Sequence, residues 1–407
     1  MKFLVVVYDG MADYKIPSLS DRTPMEAAKK PYLDSLSRAA LVGTVSNVPS
    51  GMVPESDTAN LAILSYDPRT YSRGRSPLEA MSMGLTMQPD DTALRCNLVA
   101  LSEDEPYEEK RMLDHSADEI TTPEADQLIR ALEAALGNEQ RHLYTGISYR
   151  HCLLWKNALD RYDFARPHDI IGKTIADYLP KGEEGAPFYR FMRESYDILK
   201  DHPVNIERRR RGLKAANSAW LWSPGKKPAL PSFFEKWGLH GSVVSAVDLI
   251  KGIGICAGME VLEVEGATGN VHTNYRGKAE AAIDAFRRGQ DYVYIHVEAP
   301  DECGHRAEIE NKVLSIERID SEILAPVCEH LKASGEVYRV LVLPDHPTPI
   351  ALRTHTSDPV PYMIYESDKA HMGVAPFTEA TAAACRRYLA DGTDLMEIFL
   401  GRKPKTK

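Results

Sequence analysis

Seven residues of this chain carry side chains that suit metal binding or nucleophilic attack, and their positions share one logic. Asp345 and His346 follow the apolar run that starts at Arg339 and is stopped by Pro344, and His355 lies a little further on. Asp301 and His305 follow the run Asp291–Glu298; four apart, they share one face of a helical turn. Asp9 ends the run Phe3–Tyr8, with Gly10 allowing close backbone approach. Each of these places is the carboxyl end of a predicted strand, where open α/β sheets carry their ligand and catalytic groups. Ser56 heads a predicted helix, whose free N–H groups and positive dipole end would stabilise an alkoxide and the phosphate it attacks. Singly, each residue has a plain structural role: a turn or cap for Asp9 and Asp345, an N-cap for Ser56. Jointly, six carboxylates and imidazoles beside one hydroxyl are a donor set that Zn²⁺ or Mn²⁺ accepts. Their number suggests two ions, which at about 3.5–4 Å separation activate a nucleophile and neutralise a transferring phosphoryl group. A serine attacking that group would become a covalent phosphoserine.

The elements that must position these residues alternate between strand and helix at both ends of the chain. Phe3–Tyr8 and Leu41–Val45 read as strands, with a helix from about Pro24 to Ala40 between them. Val243–Leu249, Val261–Val264, 291–298, 339–343 and Tyr362–Tyr365 continue the strands. Helices are expected over Lys278–Arg288, from about Glu308 to Ser334, and from Glu379 onward. Such alternation implies an α/β fold: a mainly parallel sheet with helices on both faces. Between about residues 76 and 245 the character changes, with strands at 91–101, 142–145 and 149–155, a helix from Thr122–Pro123 to Gly137, and a stretch to Trp237 rich in Pro, Gly, Arg and aromatics. This region is expected to be an inserted smaller α+β domain, a cap, leaving 1–75 and 246–407 as the discontinuous main domain.

Length and composition agree: 407 residues favour two domains, and 43% hydrophobic with 27% charged residues describe a soluble globular protein. A net charge of −10 argues against nucleic acid as the main partner. The basic run Arg208–Arg211 reads either as a solvated helix face or as an anion site. Six cysteines without a CxxC pair suggest neither a zinc ribbon nor a disulfide framework and suit the cytoplasm. The apolar start is too short for a signal peptide, and no stretch reaches the length of a membrane span. Gly172-Lys-Thr resembles the end of a P-loop, but Pro167 occupies the position of its first glycine. Gly252-Ile-Gly-Ile-Cys-Ala257 reads as small residues on a packed helix, and no GxSxG elbow is present.

The order Asp9, Ser56, Asp301/His305, Asp345-His346, His355 is similar to the metal and nucleophile pattern of the alkaline phosphatase superfamily. The wider wording resembles one branch, the archaeal-type cofactor-independent phosphoglycerate mutases, in Pro54-Glu-Ser-Asp-Thr-Ala59, Gly74-Arg-Ser-Pro-Leu-Glu-Ala80, Gly146-Ile-Ser-Tyr-Arg-His151, Gly266-Ala-Thr-Gly269, Thr273-Asn-Tyr275, His296-Val-Glu-Ala-Pro-Asp301 and Pro344-Asp-His-Pro-Thr-Pro349. The resemblance implies an alkaline-phosphatase-like sheet domain with Asp9, Ser56, Asp345 and His346 on one ion and Asp301, His305 and His355 on the other. It implies transfer of the phosphoryl group of 3-phosphoglycerate to Ser56 and back to the 2-hydroxyl, without 2,3-bisphosphoglycerate, in glycolysis or gluconeogenesis. The ions would be Mn²⁺ or Zn²⁺, with Co²⁺ or Mg²⁺ compatible with the same ligands. The cap would hold glycerate away from water and supply cationic donors for carboxylate and phosphate: Arg150, whose guanidinium grips either group as a fork, then His115, Arg95, His168 and Arg208. The chain departs from the family wording at His272 and at Trp222-Ser-Pro-Gly225, where Gly-Gln-Gly is usual. A metal-dependent phosphatase or phosphonate hydrolase shares the metal site and differs by admitting water. A homoserine kinase-like activity lacks a nucleotide loop here.

Overall fold

The computed structural model describes residues 1–402. The strands among them are β1 Lys2–Tyr8, β2 Leu41–Val45, β3 Asp91–Leu101, β4 Met112–Asp114, β5 Arg141–Ile147, β6 Arg150–Lys156, β7 Ser218–Lys226, β8 Gly241–Val244, β9 Glu260–Leu262, β10 Tyr292–Val297, β11 Tyr338–Leu343, β12 Val360–Glu366 and β13 Tyr388–Leu389. Two compact units result: Met1–Ser72 with the chain from Ala229 onward, and Arg73–Pro228.

The first unit is built on an eight-stranded sheet in the order β13-β2-β12-β11-β1-β10-β8-β9. Only β12 runs against its neighbours, pairing antiparallel with both β11 and β2. Every residue of β1 is buried, as expected of a central parallel strand covered on both faces. Leu4, Val6 and Tyr8 pack in one cluster with Ala282 and Phe286 of the helix Tyr275–Arg287 and Ile316 of the helix Ile309–Ile319. Phe3, on the opposite face, meets Phe399 edge-on at 5.6 Å between ring centroids. The strand ends are level: Tyr8 pairs with Val297 and Val7 with Leu343. That register fixes the height at which the next residues of three adjacent strands leave the sheet.

The second unit has a five-stranded antiparallel sheet in which β3 pairs with β4, β6 and β7, and β5 with β6. Its core joins this sheet to the helices Thr122–Leu136 and Gly182–Leu199 through Leu128, Leu132, Phe191 and Met192. The expected insertion ran to residue 245, but Gly241–Val244 pairs parallel with β10 and belongs to the main sheet.

Two long helices are interrupted. The expected helix from Pro24 to Ala40 is two short ones, Pro24–Ala27 and Pro31–Ser37, because Pro31 cannot continue a helix from the preceding turn. The expected helix from Glu308 to Ser334 contains a π-helical turn, Asp320–Leu324, just before Pro326. Gly254 lies in the helix Asp248–Cys256, where a Cβ would stand 2.9 Å from the Val243 side chain, so the GxGxxA stretch serves helix–sheet packing. In the second unit Ser223, within the stretch that departs from the resembled family's wording, holds a left-handed φ of 51°.

The π-turn serves a second purpose. Asp320, buried, accepts the N–H groups of Leu33 at 2.7 Å and Tyr32 at 3.2 Å and so caps the helix Pro31–Ser37. Asp320→Ala leaves both donors without their acceptor and is expected to cost about 2 kcal/mol, read as a lower urea midpoint with unchanged slope.

Candidate active site

Three adjacent strands deliver three carboxylates to one place. Asp9 follows β1, Asp345 follows β11, and Asp301 lies in the first turn of the helix Ala299–Arg306 that follows β10. All three are buried. Gly10, with φ of 62°, permits this approach: a Cβ there would sit 2.7 Å from the Asp301 Cα and 2.5 Å from the Thr348 hydroxyl. The proline-rich loop after β11 adds His346 and His355, and the helix after β10 adds His305.

Two groups form. In one, Asp9 Oδ1 and Asp345 Oδ2 lie 3.7 and 3.6 Å from His346 Nε2. In the other, Asp301 Oδ1 is 3.3 Å from His355 Nε2 and Asp301 Oδ2 is 3.3 Å from His305 Nε2. His346 stacks on His355 at 4.0 Å and could contribute to either group. Ser56, the first residue of the helix Ser56–Ile63, has its hydroxyl 3.2 Å from His346 Nε2. The seven residues singled out from the sequence therefore converge on one site.

Hydrogen bonds assign the imidazole tautomers. His355 Nδ1 donates to the Pro54 carbonyl at 2.7 Å, and His305 Nδ1 donates to the Arg353 carbonyl at 3.0 Å. Both Nε2 atoms then face inward, 2.9 Å apart, each 3.3 Å from an Asp301 oxygen. The hydrogen bond to Asp301 raises the pKa of His305 to about 9, so this corner draws positive charge, which a proton or a divalent cation on the Nε2 lone pairs would supply. The charge balance in the other group says the same. Burial, then Asp345 and Asp301, push the Asp9 carboxyl well above its usual range. Burial also acts on Asp345, but His346 and His296 outweigh it and hold Asp345 low. Asp9 Oδ1 is buried without a hydrogen-bond partner. A divalent cation would supply the missing positive charge, so the donor set fits one.

Three contributors went unrecognised in the sequence. His296, fully buried in β10, brings Nε2 within 3.1 Å of Asp9 Oδ2, close in distance but without the direction of a hydrogen bond. Its signal is an imidazole inside an otherwise apolar strand. Asn60 donates to Asp345 Oδ2 and to the Ser56 carbonyl, both at 2.8 Å, tying the helix of Ser56 to the end of β11. Thr348 donates to Asp301 Oδ1 and lies 3.3 Å from His346 Nδ1.

Of the five cap residues, four form one connected group. The Arg95 guanidinium pairs with Glu79 and lies 4.5 Å over the Trp222 ring. His168 meets Trp222 at 5.7 Å and His115 at 6.1 Å. His115 in turn meets Tyr149, over which Arg150 lies at 5.1 Å. Arg150 and His168 are exposed and free to meet a ligand. Arg208 is not among them. Only 1% exposed, it spends its guanidinium on Glu124 (2.8 Å) and the carbonyls of Ala117 and Lys214.

A carboxylate–imidazole centre at the carboxyl edge of a mainly parallel sheet, beside a helix-heading serine, defines a class of α/β protein equipped for metal-assisted group transfer. Comparison with known proteins narrows the class. A profile of 2,3-bisphosphoglycerate-independent phosphoglycerate mutase matches residues 37–205. The chain is 45% identical over 405 residues to the protein of that name from Methanosarcina barkeri, covering 99% of this chain and all of the relative. It is 43% identical over 404 residues to a probable one from Geobacter sulfurreducens, with 99% and 100% covered. Among solved structures, a Pyrococcus horikoshii protein aligns with a TM-score of 0.82 at 27% identity, over 100% of this chain and 99% of the other. The cofactor-independent phosphoglycerate mutase of Thermoplasma acidophilum aligns with a TM-score of 0.69, also at 27%, over 98% and 99%. The chain belongs to the family of 2,3-bisphosphoglycerate-independent phosphoglycerate mutases.

Arg208 provides a check on the cap. Arg208→Met, which leaves the Ala117 and Lys214 carbonyls without their buried donor and takes one of two arginines from Glu124, is expected to destabilise by about 2 kcal/mol. The expected thermal melt shows a lower midpoint, while the KM for phosphoglycerate in the folded protein changes less than about twofold.

Proposed function

We propose that the chain carries out its family's isomerisation by moving the phosphoryl group of 3-phosphoglycerate onto Ser56 and returning it to the 2-hydroxyl. One observation carries this reading: the Ser56 hydroxyl stands at a helix N-terminus, 3.2 Å from His346 Nε2, beside two groups of buried carboxylates and imidazoles. Asp9, Asp345 and His346 would hold one divalent ion with Ser56, and Asp301, His305 and His355 the other. When bound, the ions would lower the pKa of the serine hydroxyl and neutralise charge on the transferring group. The absence of a thiolate among the ligands and the mix of oxygen and imidazole donors suit Mn²⁺ or Zn²⁺.

The remaining work falls to the protein. The first-turn N–H groups of the helix Ser56–Ile63 can receive phosphoryl oxygens, and Asn60 holds that helix to Asp345. Arg95, His115, His168 and Arg150 are proposed to bind the carboxylate and phosphate of phosphoglycerate, with the Glu79 carboxylate and the Trp222 ring steadying Arg95. Glycerate must stay bound while it reorients, since water reaching the phosphoserine would turn the mutase into a phosphatase. Six cysteines without a CxxC pair support a cytoplasmic setting. No helix among the described residues is long and apolar enough to cross a membrane.

An enolase-coupled assay with Mn²⁺ and without 2,3-bisphosphoglycerate tests the reading. The wild-type chain is expected to be active, with Ser56→Ala lower by on the order of 10³-fold or more. Activity surviving in Ser56→Ala would sink the covalent route. Free phosphate appearing as fast as 2-phosphoglycerate would favour the phosphatase.

A further inference from the structure

Lys312 is an unexpected residue for a core. It lies in the helix Ile309–Ile319, fully buried, away from any strand end. Its amine donates to Asp13 Oδ2 at 2.7 Å and to the Thr348 carbonyl at 2.8 Å. Asp13, also buried, accepts the Ile350 N–H through both carboxylate oxygens, at 3.2 and 3.1 Å. One ion pair thus grips the loop at two points, both between His346 and His355.

The loop needs such a grip. Pro344, Pro347 and Pro349 remove backbone donors from the first half of the loop, and its internal bonds, from the Leu352 and Arg353 N–H groups to the Pro349 carbonyl and from Thr356 to Pro347, lie toward its far end. The stretch Thr348–Ile350 is held from outside: the Thr348 N–H donates to the Ala12 carbonyl at 3.2 Å, Lys312 binds the Thr348 carbonyl, and Asp13 binds the Ile350 N–H. What they hold leads mainly to one ligand group, its one link to the other being the 3.3 Å contact of the Thr348 hydroxyl with His346 Nδ1. The Thr348 hydroxyl bonds Asp301, and the Arg353 carbonyl, three residues beyond Ile350, fixes the His305 ring. Asp345, by contrast, is held by Gly10, Asn47 and Asn60, none of which involves Lys312. Apolar residues of similar size would fill the same volume with a smaller desolvation cost. A charged pair is therefore better explained by its directed bonds.

We propose that Lys312 and Asp13 act as one positioning unit that sets the geometry of the Asp301, His305 and His355 group, and not of the Asp9 and Asp345 group. The inference rests on the reading that those three residues share one ion. Neither Lys312 nor Asp13 need touch substrate.

Mn²⁺ titration of the metal-free full chain, followed by calorimetry and by the free-ion EPR signal, tests it. The proteins are wild type, Lys312→Met, Asp13→Asn, the double variant, and His355→Ala as reference for loss of that group. Wild type is expected to show two classes of site. Each single variant should weaken one class on the order of 10–100-fold, the class lost in His355→Ala, and leave the other within about threefold. The double variant should be no weaker than the worse single by more than about threefold, because the two residues act together. A role confined to stability would lower the melting temperature without separating the two classes. Asp13→Asn keeps the shape of the side chain, so it carries the test if Lys312→Met does not fold. Two wild-type classes with both variants binding like wild type, or with both classes weakened alike, overturns the inference alone. A single wild-type class, or an unaltered His355→Ala, overturns the ligand assignment and the inference with it.

Discussion

Two carboxylates buried side by side at the ends of adjacent strands set the terms for the rest of this structure. Asp9 and Asp345 stand level because β1 and β11 pair in register, and burial denies both of them water. Imidazoles and the Gly10 and Asn60 donors ease the charge on Asp345, while burial and then repulsion from Asp345 push the Asp9 carboxyl well above its ordinary range. Keeping such a pair ionised requires a cation. Around this constraint the fold arranges its other features: Gly10 where no Cβ fits, Asn60 bonded to Asp345, and a histidine inside β10.

The two ligand groups are supported differently. Asp9 and Asp345 depend on the sheet itself, through strand register and short connections. Asp301, His305 and His355 depend on a helix turn and on a loop with few donors of its own, shaped from behind by a buried ion pair. His346, stacked between them, belongs to the loop but reaches the first group. A centre built this way can have one tight and one adjustable half, with the nucleophile on the tight side.

Much of the site was legible in the sequence because strand ends announce themselves. A run of apolar residues that stops at a proline or glycine and is followed by Asp or His marks a position, and five such residues sit at three strand ends here. His296 was hidden because it lies within the strand, where only its polarity distinguishes it. Asn60 and Thr348 were hidden because their partners are distant in the chain. The insertion's far boundary was misjudged for a related reason: β8 is only four residues long and follows a stretch whose prolines and aromatics resemble the cap. In the run Arg208–Arg211, composition could not show that one guanidinium turns inward to meet Glu124, more than eighty residues earlier. The main sheet was readable because parallel strands buried on both faces are uniformly apolar, whereas the broken helices turned on single prolines.

Ser56 is the residue proposed to carry the phosphoryl group. The most direct measurement is an acid quench of the Mn²⁺-loaded protein after brief incubation with 3-phosphoglycerate, followed by peptide mass spectrometry. The account predicts phosphate on Ser56 within the first turnovers, lost again as substrate is exhausted. Steady isomerisation with Ser56 unmodified at every time point would contradict it.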